Sequence, residues 1–306
     1  MSDNSGVRVA AVDCGTNSIR LLIGDLVDGR LVELDRRMTI VRLGQGVDAT
    51  GAFAPEALER VFAATEDFAA VIRSAAVARV RFVATSAARD VSNRDAFLTG
   101  IEERLGVRPD IISGKEEAEL SFRGATTSLD LPAPYLVADI GGGSTELVLG
   151  DATGVIAAES LDIGSVRLTE RHVSTDPTSA AELAAITADV DALLDTAKVP
   201  LADARSLIAV AGTATTVAAV ALNLPEYDRD AVHHARLTAA RLRDTTTWLT
   251  TSTRAARAAV HSIHPGRVDV IGAGALILQR LVDRLPVDSL TVSEHDILDG
   301  VALSLG

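Results

Sequence analysis

The residues of this chain best suited to chemistry fall in two short runs of the same design. DIGGGSTE, residues 139–146, sets three consecutive glycines between a carboxylate that ends an apolar run and two hydroxyls, and DCGTNS, residues 13–18, does much the same 126 residues earlier. Glycines let backbone N–H groups close on an anion without interference from Cβ, and hydroxyls add donors. Gly141, Gly142, Gly143, Ser144 and Thr145, with Asp13, Gly15, Thr16, Asn17 and Ser18 in the first copy, are therefore candidate phosphate contacts. A turn that binds nothing is the bland reading of one such loop, and the duplicate weighs against it. Bare carboxylates at Asp13, Asp139 and Glu146 would repel phosphate unless a cation lay between them. Hard carboxylate oxygens with few other protein ligands suit Mg2+, which keeps waters and bridges to substrate phosphates. Asp139 and Glu146 are the candidate metal ligands, set against the reading of Glu146 as an ordinary strand residue.

Other residues are more ambiguous. Arg89, after the apolar run RVRFVA, could clasp a phosphate through its guanidinium or merely solubilise a surface. AGTATT at 211–216 makes Gly212 and Thr213 either a second phosphate or adenosine loop or a plain strand-to-helix turn, the two readings being equal on sequence alone. KEEAE at 115–119 reads on composition as a solvated first helical turn. Arg167 and Arg267 are further cations that could meet phosphate. The six histidines show no HExxH spacing, and there is neither a GxSxG elbow nor a GxxxxGK[ST] loop, which disfavours zinc proteases, α/β-hydrolases and P-loop enzymes.

These residues must be positioned by elements that the pattern also predicts. Residues 9–25 and 135–151 align without a gap, pairing Asp13 with Asp139, Gly15 with Gly141, Ser18 with Ser144, Leu21 with Leu147 and Gly24 with Gly150. Each copy is apolar run, Asp, turn, apolar run, the signature of a β-hairpin with a tight loop, so two related half-molecules are expected. Beyond the first hairpin the sequence predicts a strand over 38–43, a helix over 55–75 and a buried strand in RVRFVATSAA. A helix over 93–105 capped by Asn93 follows, then a short strand in DIISG and a helix in KEEAELSFRGATTSL. The second half predicts a helix over 180–194, a strand running through Gly212 into a helix, and a turn at HPGR leading to a long apolar helix. A final helix over 293–306, with Ser293 as N-cap and Asp296 closing a capping box, is expected to pack on the first lobe. The alternation gives α/β lobes, 1–125 and 126–292.

Composition limits the alternatives. The 306 residues suffice for two domains, and 47% hydrophobic with 23% charged residues marks a globular chain. Aromatics at 3% leave little for base stacking, and a net charge of −13 repels nucleic acid and anionic membranes, so neither is an expected partner. Cys14 stands alone, which rules out an internal disulfide or thiolate cage and fits a reducing cytoplasm. The start lacks a basic n-region and an uninterrupted apolar h-region, and it reads as unprocessed.

In combination these segments resemble the exopolyphosphatase and guanosine pentaphosphate phosphatase family, within the sugar kinase, Hsp70 and actin superfamily. DCGTNS, TSAARDVSN at 85–93, SGKEEAELSF at 113–122, DIGGGSTELV at 139–148, GSVRLTE at 164–170, AGTATT, HPGRVDVIGAGALIL at 264–278 and the terminal SEHDILDGVAL match in register from about Val9 onward. The resemblance implies a ribonuclease-H-like fold in each lobe with the site in the cleft between them. It implies Glu117 as the catalytic carboxylate, Arg89 on phosphate, Asp139 and Glu146 on Mg2+, and the two Asp-Gly loops on substrate oxygens. The expected reaction is release of terminal phosphate from inorganic polyphosphate. Guanosine pentaphosphate is the nearest alternative substrate, and an ATP-dependent kinase or a nucleotide-driven scaffold are remoter ones. A homodimer is compatible with the sequence. Longer members continue into a helical domain, so the chain is expected to be the short two-domain form. Ala211 stands where many members carry Gly, and Val91 where Ala is common.

Overall fold

A computed structural model describes residues 6–306 apart from 90 and 128. The first five residues, read above as an unprocessed start, Asp90 within TSAARDVSN and Ser128 within a stretch read as helix lie outside that description. The chain divides into two compact units, Met1–Gly124 with Ile297–Gly306, and Ala125–Asp296. Among the described residues, no helix is long and apolar enough to cross a membrane.

The first unit holds strands β1 (Val7–Cys14), β2 (Ser18–Val27), β3 (Arg30–Ile40), β4 (Arg79–Ala84) and β5 (Asp110–Ile111). Its helices are α1 (Val47–Thr50), α2 (Pro55–Ser74), α3 (Ser86–Arg89), α4 (Arg94–Leu105) and α5 (Gly114–Thr126). The sheet order is β3-β2-β1-β4-β5, antiparallel across β3, β2 and β1 and parallel onward. Period-two alternation sorts β1 between two cores. Ala10, Val12 and Cys14 face Phe68 of α2 and Phe97 of α4, while Val9 and Ala11 face Leu120 and the chain's last helix. Buried on both faces from Val9 onward, β1 reads there as a continuous apolar run, Val9 to Val12, ending at Asp13.

The second unit holds β6 (Tyr135–Ile140), β7 (Thr145–Asp151), β8 (Gly154–Leu161), β9 (Ser206–Val210), β10 (Arg236–Thr238) and β11 (Ser289–Val292). Its helices are α6 (Ser165–His172), α7 (Ala180–Asp195), α8 (Ala211–Ala221), α9 (Arg229–Val232), α10 (Ala239–Thr251), α11 (Arg254–Ala258) and α12 (Ile271–Val282). Its sheet runs β10-β11-β9-β6-β7-β8, so β8, β7, β6, β9 and β11 repeat the order and directions of β3, β2, β1, β4 and β5. The repeat extends to irregularities. The ladder slips at Ile23/Gly24 in one copy and at Leu149/Gly150 in the other, again 126 residues apart. This is the ribonuclease-H-like arrangement expected of each half.

Three predicted elements change. The strand expected at 38–43 is the end of a longer β3, which stops at Ile40 because Arg42 turns to φ 48°, and the N–H groups of Val41, Arg42 and Gly44 leave the ladder for the 15–17 loop. The strand expected to run through Gly212 ends at Val210, and α8 begins at Ala211 with φ 62°. The final helix is only α13 (Ile297–Leu303), and Ser293 does not cap it. Its Oγ instead bonds both the N–H and the C=O of His295 in a local turn that competes with helix. A capping box is built at Ser179 and Glu182, where α7 starts. Asn93 occupies the N-cap position of α4 but spends its side chain on the backbone of Phe53.

Candidate functional site

In each hairpin the loop closes with one backbone bond, from Gly15 N–H to the Ser18 carbonyl and from Gly141 N–H to the Ser144 carbonyl, both 3.0 Å. Where the loop carbonyls go decides what the loop can bind. In the first unit, the Asn17 carbonyl accepts from Val41 and Arg42 at 3.0 and 2.9 Å, and the Thr16 carbonyl accepts from Gly44 at 2.8 Å. In the second, the Gly141 carbonyl accepts from Ser165 at 3.0 Å and the Gly142 carbonyl from Val166 and Arg167 at 2.8 and 3.0 Å. Arg167 Nε adds a bond of 2.8 Å to the Gly143 carbonyl. Across a trans peptide the C=O of one residue and the N–H of the next point oppositely. The N–H groups of Asn17 and Ser18, and of Gly142, Gly143 and Ser144, therefore point away from these supporting segments. Successive N–H groups presented on one side form a concavity suited to an anion.

This support explains GSVRLTE. The first N–H groups of a helix need acceptors, and α6 has no capping side chain; the glycine loop supplies the carbonyls. The approach is so close that a Cβ on Gly164 would lie 2.3 Å from the Gly142 carbonyl oxygen. Arg167, read from sequence as a phosphate contact, buttresses the loop from behind.

The strand-end acids are in opposite electrostatic settings. Asp13 lies across from Arg20 in the β1–β2 ladder, and Arg20 binds its Oδ2 through Nε at 3.0 Å and Nη2 at 2.6 Å. The equivalent pair, Asp139 and Glu146, puts two carboxylates at one register position with 6% and 1% exposure. Like charges directly opposite are destabilising. Ser160 Oγ donates to Glu146 Oε1 at 2.7 Å. Two adjacent, buried, hard oxygen donors fit a small divalent cation that retains waters. Among the described residues no group of three or more His, Cys, Asp or Glu side chains gathers as a fuller cage.

Glu117 lies in the first turn of α5, is 7% exposed, and accepts a hydrogen bond of 2.6 Å at Oε2 from Arg89 Nη1 at the end of α3. The structure thus brings together the carboxylate expected to be catalytic and the arginine expected on phosphate. Thr16, also buried, is 3.0 Å from Ser86 through the hydroxyls, which ties the first loop to the helix bearing Arg89. In the second unit Arg267 Nη1 donates to the Gly212 carbonyl at 2.8 Å and to Thr216 Oγ1 at 3.1 Å. A Cβ on Gly212 would fall 2.1 Å from the Arg267 Cζ, so glycine there seats the guanidinium. Thr213, beside Gly212, is buried. Cys14 is fully buried, and desolvation with the Asp13 charge pushes its thiol well above the usual range, so it is no nucleophile.

Sequence reasoning missed several supports. Arg20 was findable, since it stands 126 residues before Glu146. Ser160, Gly164 and the Tyr227 group were not. Tyr227 hydrogen-bonds Glu294 and Thr215, and burial raises its hydroxyl pKa, with Glu294 adding to the effect.

Two ribonuclease-H-like units, each with an Asp-x-Gly hairpin loop, have the fold of actin, Hsp70 and the sugar kinases. The chain belongs to the Ppx/GppA phosphatase family, whose model matches residues 22–305. It is 50% identical to exopolyphosphatase 2 of Mycobacterium tuberculosis over 97% of this chain and 98% of that protein. It is 28% identical to the guanosine-5'-triphosphate,3'-diphosphate pyrophosphatase of Vibrio atlanticus over 97% of this chain and 59% of that protein. The crystal structure of an exopolyphosphatase-like protein superposes with a TM-score of 0.96 at 45% identity, covering 99% of this chain and 98% of that one.

Proposed function

We propose that this chain is an exopolyphosphatase that releases terminal orthophosphate from inorganic polyphosphate by in-line attack of water. The observation that carries the reading is the 50% identity to an exopolyphosphatase over nearly the full length of both chains. The site residues give it a mechanism. Glu117 orients the water and takes its proton at Oε2, the oxygen to which Arg89 Nη1 donates at 2.6 Å. A terminal phosphate draws Arg89 into a bidentate clasp, freeing that oxygen as the nucleophile arrives. The N–H groups of Asn17, Ser18, Gly143 and Ser144, with the hydroxyls of Ser18 and Ser144, hold phosphoryl oxygens; Thr145, expected among them, is instead fully buried and its hydroxyl donates to the Ile163 carbonyl at 2.7 Å. Arg267, seated on Gly212 and next to Thr213, offers a further cation. Asp139 and Glu146 would hold Mg2+, which supplies charge neutralisation for substrate oxygens. Little covalent chemistry is asked of the protein, so positioning and electrostatics do most of the catalysis. A single buried cysteine supports a reducing compartment such as the cytoplasm.

The guanosine pentaphosphate reading draws on the Vibrio relative, of whose length this chain spans 59%. Phosphate release from short polyphosphate, long polyphosphate, guanosine pentaphosphate and ATP, with Mg2+, separates the readings. Highest kcat/KM on a polyphosphate is expected. Highest kcat/KM on guanosine pentaphosphate would replace it with the nucleotide reading, and turnover of ATP only with a second acceptor would make the chain a kinase.

A further inference from the structure

Helix α8 carries Gly212 and Thr213 at its start. At its other end, about 16 Å away for 11 residues, lies a cavity of about 410 Å3 that none of the chemistry above uses. Its walls are the last turn of α8 with Asn223 and Leu224, one face of α10, and the segment around Ser262. Three polar features there lack an internal purpose. Ser262 is 1% exposed, lines the cavity, and its hydroxyl has no hydrogen-bond partner among the described residues, although buried hydroxyls are ordinarily paired. Asp244, exposed on α10, has no ion pair or hydrogen bond among the described residues. The neighbouring Arg241 makes no ion pair with it and commits Nε and Nη2 to the Ala221 carbonyl at the end of α8, at 2.9 and 2.5 Å. Trp248, the chain's only tryptophan, lies four residues beyond Asp244 on the same helical face and is 38% exposed at the cavity.

An aromatic platform, a carboxylate acceptor one turn away and a buried hydroxyl form the donor and acceptor set that takes a flat heteroaromatic ring. We propose that this cavity binds a nitrogen heterocycle with N–H donors along one edge, of the aminopurine type. The ring stacks on Trp248, its N–H edge donates to Asp244, and a ring acceptor receives the Ser262 hydroxyl. The proposal is independent of the phosphatase reading, because it requires no phosphate on the ligand.

The test uses the full chain and its single tryptophan. Guanosine, adenosine, uridine and spermidine are titrated while Trp248 fluorescence is followed, with calorimetry as an optical-independent check. Saturable quenching by a purine nucleoside, but not by uridine or spermidine, is expected. Guanosine alone would indicate a two-donor edge on Asp244, and adenosine alone a single amino donor. Asp244→Ala should weaken binding about tenfold or more, as loss of a charge-assisted contact predicts, and leave phosphate release unchanged. Ser262→Ala should weaken it less and leave thermal stability equal or higher, because the hydroxyl has no hydrogen-bond partner among the described residues. Absence of saturation with either purine, equal quenching by spermidine, or binding indifferent to Asp244→Ala would overturn the proposal.

Discussion

At the scale of single residues, three substitutions probe the site. Glu117→Gln keeps shape and can still accept from Arg89 Nη1, but an amide cannot take a proton. Turnover should fall by about 10²-fold to 10⁴-fold with KM and circular dichroism nearly unchanged. A near wild-type rate would remove Glu117 from the mechanism. Asp139 and Glu146 share one register position, whereas Asp13 in the equivalent place is neutralised by Arg20. Asp139→Ala should therefore raise the Mg2+ concentration for half-maximal rate, while chelation by EDTA stops the wild type. An unchanged metal requirement in a slowed mutant would show that Asp139 does not face the metal. Ala211 is the third case. Its φ of 62° is a backbone region where an L-residue is strained by its Cβ and glycine is not. Ala211→Gly should raise stability by about 1 kcal/mol, read as a shift in the urea midpoint with unchanged slope.

At the scale of elements, the decisive contact is the glycine loop against the start of α6. Gly164 has an ordinary extended φ of −151°, so Gly164→Ala carries no conformational penalty and acts only by collision with the Gly142 backbone. Backbone on both sides cannot yield cheaply. A loss of about 1–3 kcal/mol in stability is expected, with a drop in activity larger than that of Arg167→Gln, which removes one bond to the same loop. Wild-type activity in Gly164→Ala would show that the loop tolerates displacement. This contact also marks where sequence reading ended. The paired hairpins were legible because a duplicated strand-turn-strand pattern carries its own register, and Asp139 and Glu146 came with it. The supports were not. Helix α6 is eight residues long and takes its N-terminal acceptors from the loop, so no cap residue announced it. Helix α10 carries TTTWLTT, a run of β-branched residues that favours strand locally and is helical here because Leu242 and Leu249 pack into the core of the second unit. The Arg89 to Glu117 pair joins residues 28 apart through two elements, a proximity that only the fold supplies.

At the scale of the whole molecule, charge sets which substrate the protein can hold. Long polyphosphate carries roughly one negative charge per unit, and gripping many units at once needs a continuous basic track. The chain is −13 overall and has two lysines, of which Lys115 pairs with Glu119. Its positive charge resides in arginine, and much of that is already spent: Arg8, Arg20, Arg36, Arg81, Arg243 and Arg280 each bind a carboxylate. Arg89, itself paired with Glu117, and Arg267, which donates to the Gly212 carbonyl, are the phosphate contacts of the proposed mechanism, enough for the terminal few units. Short polyphosphate should accordingly have the higher kcat/KM, and long chains should be trimmed distributively, the enzyme releasing its substrate after each cleavage or few. Because the attraction rests on few contacts, raising salt should lower kcat/KM with a shallow slope. Electrophoresis of partly digested long polyphosphate checks the point. Gradual shortening of the whole population is the expected result. Full-length chains persisting beside free phosphate, without intermediates, would mean processive action and a basic track extending beyond Arg89 and Arg267.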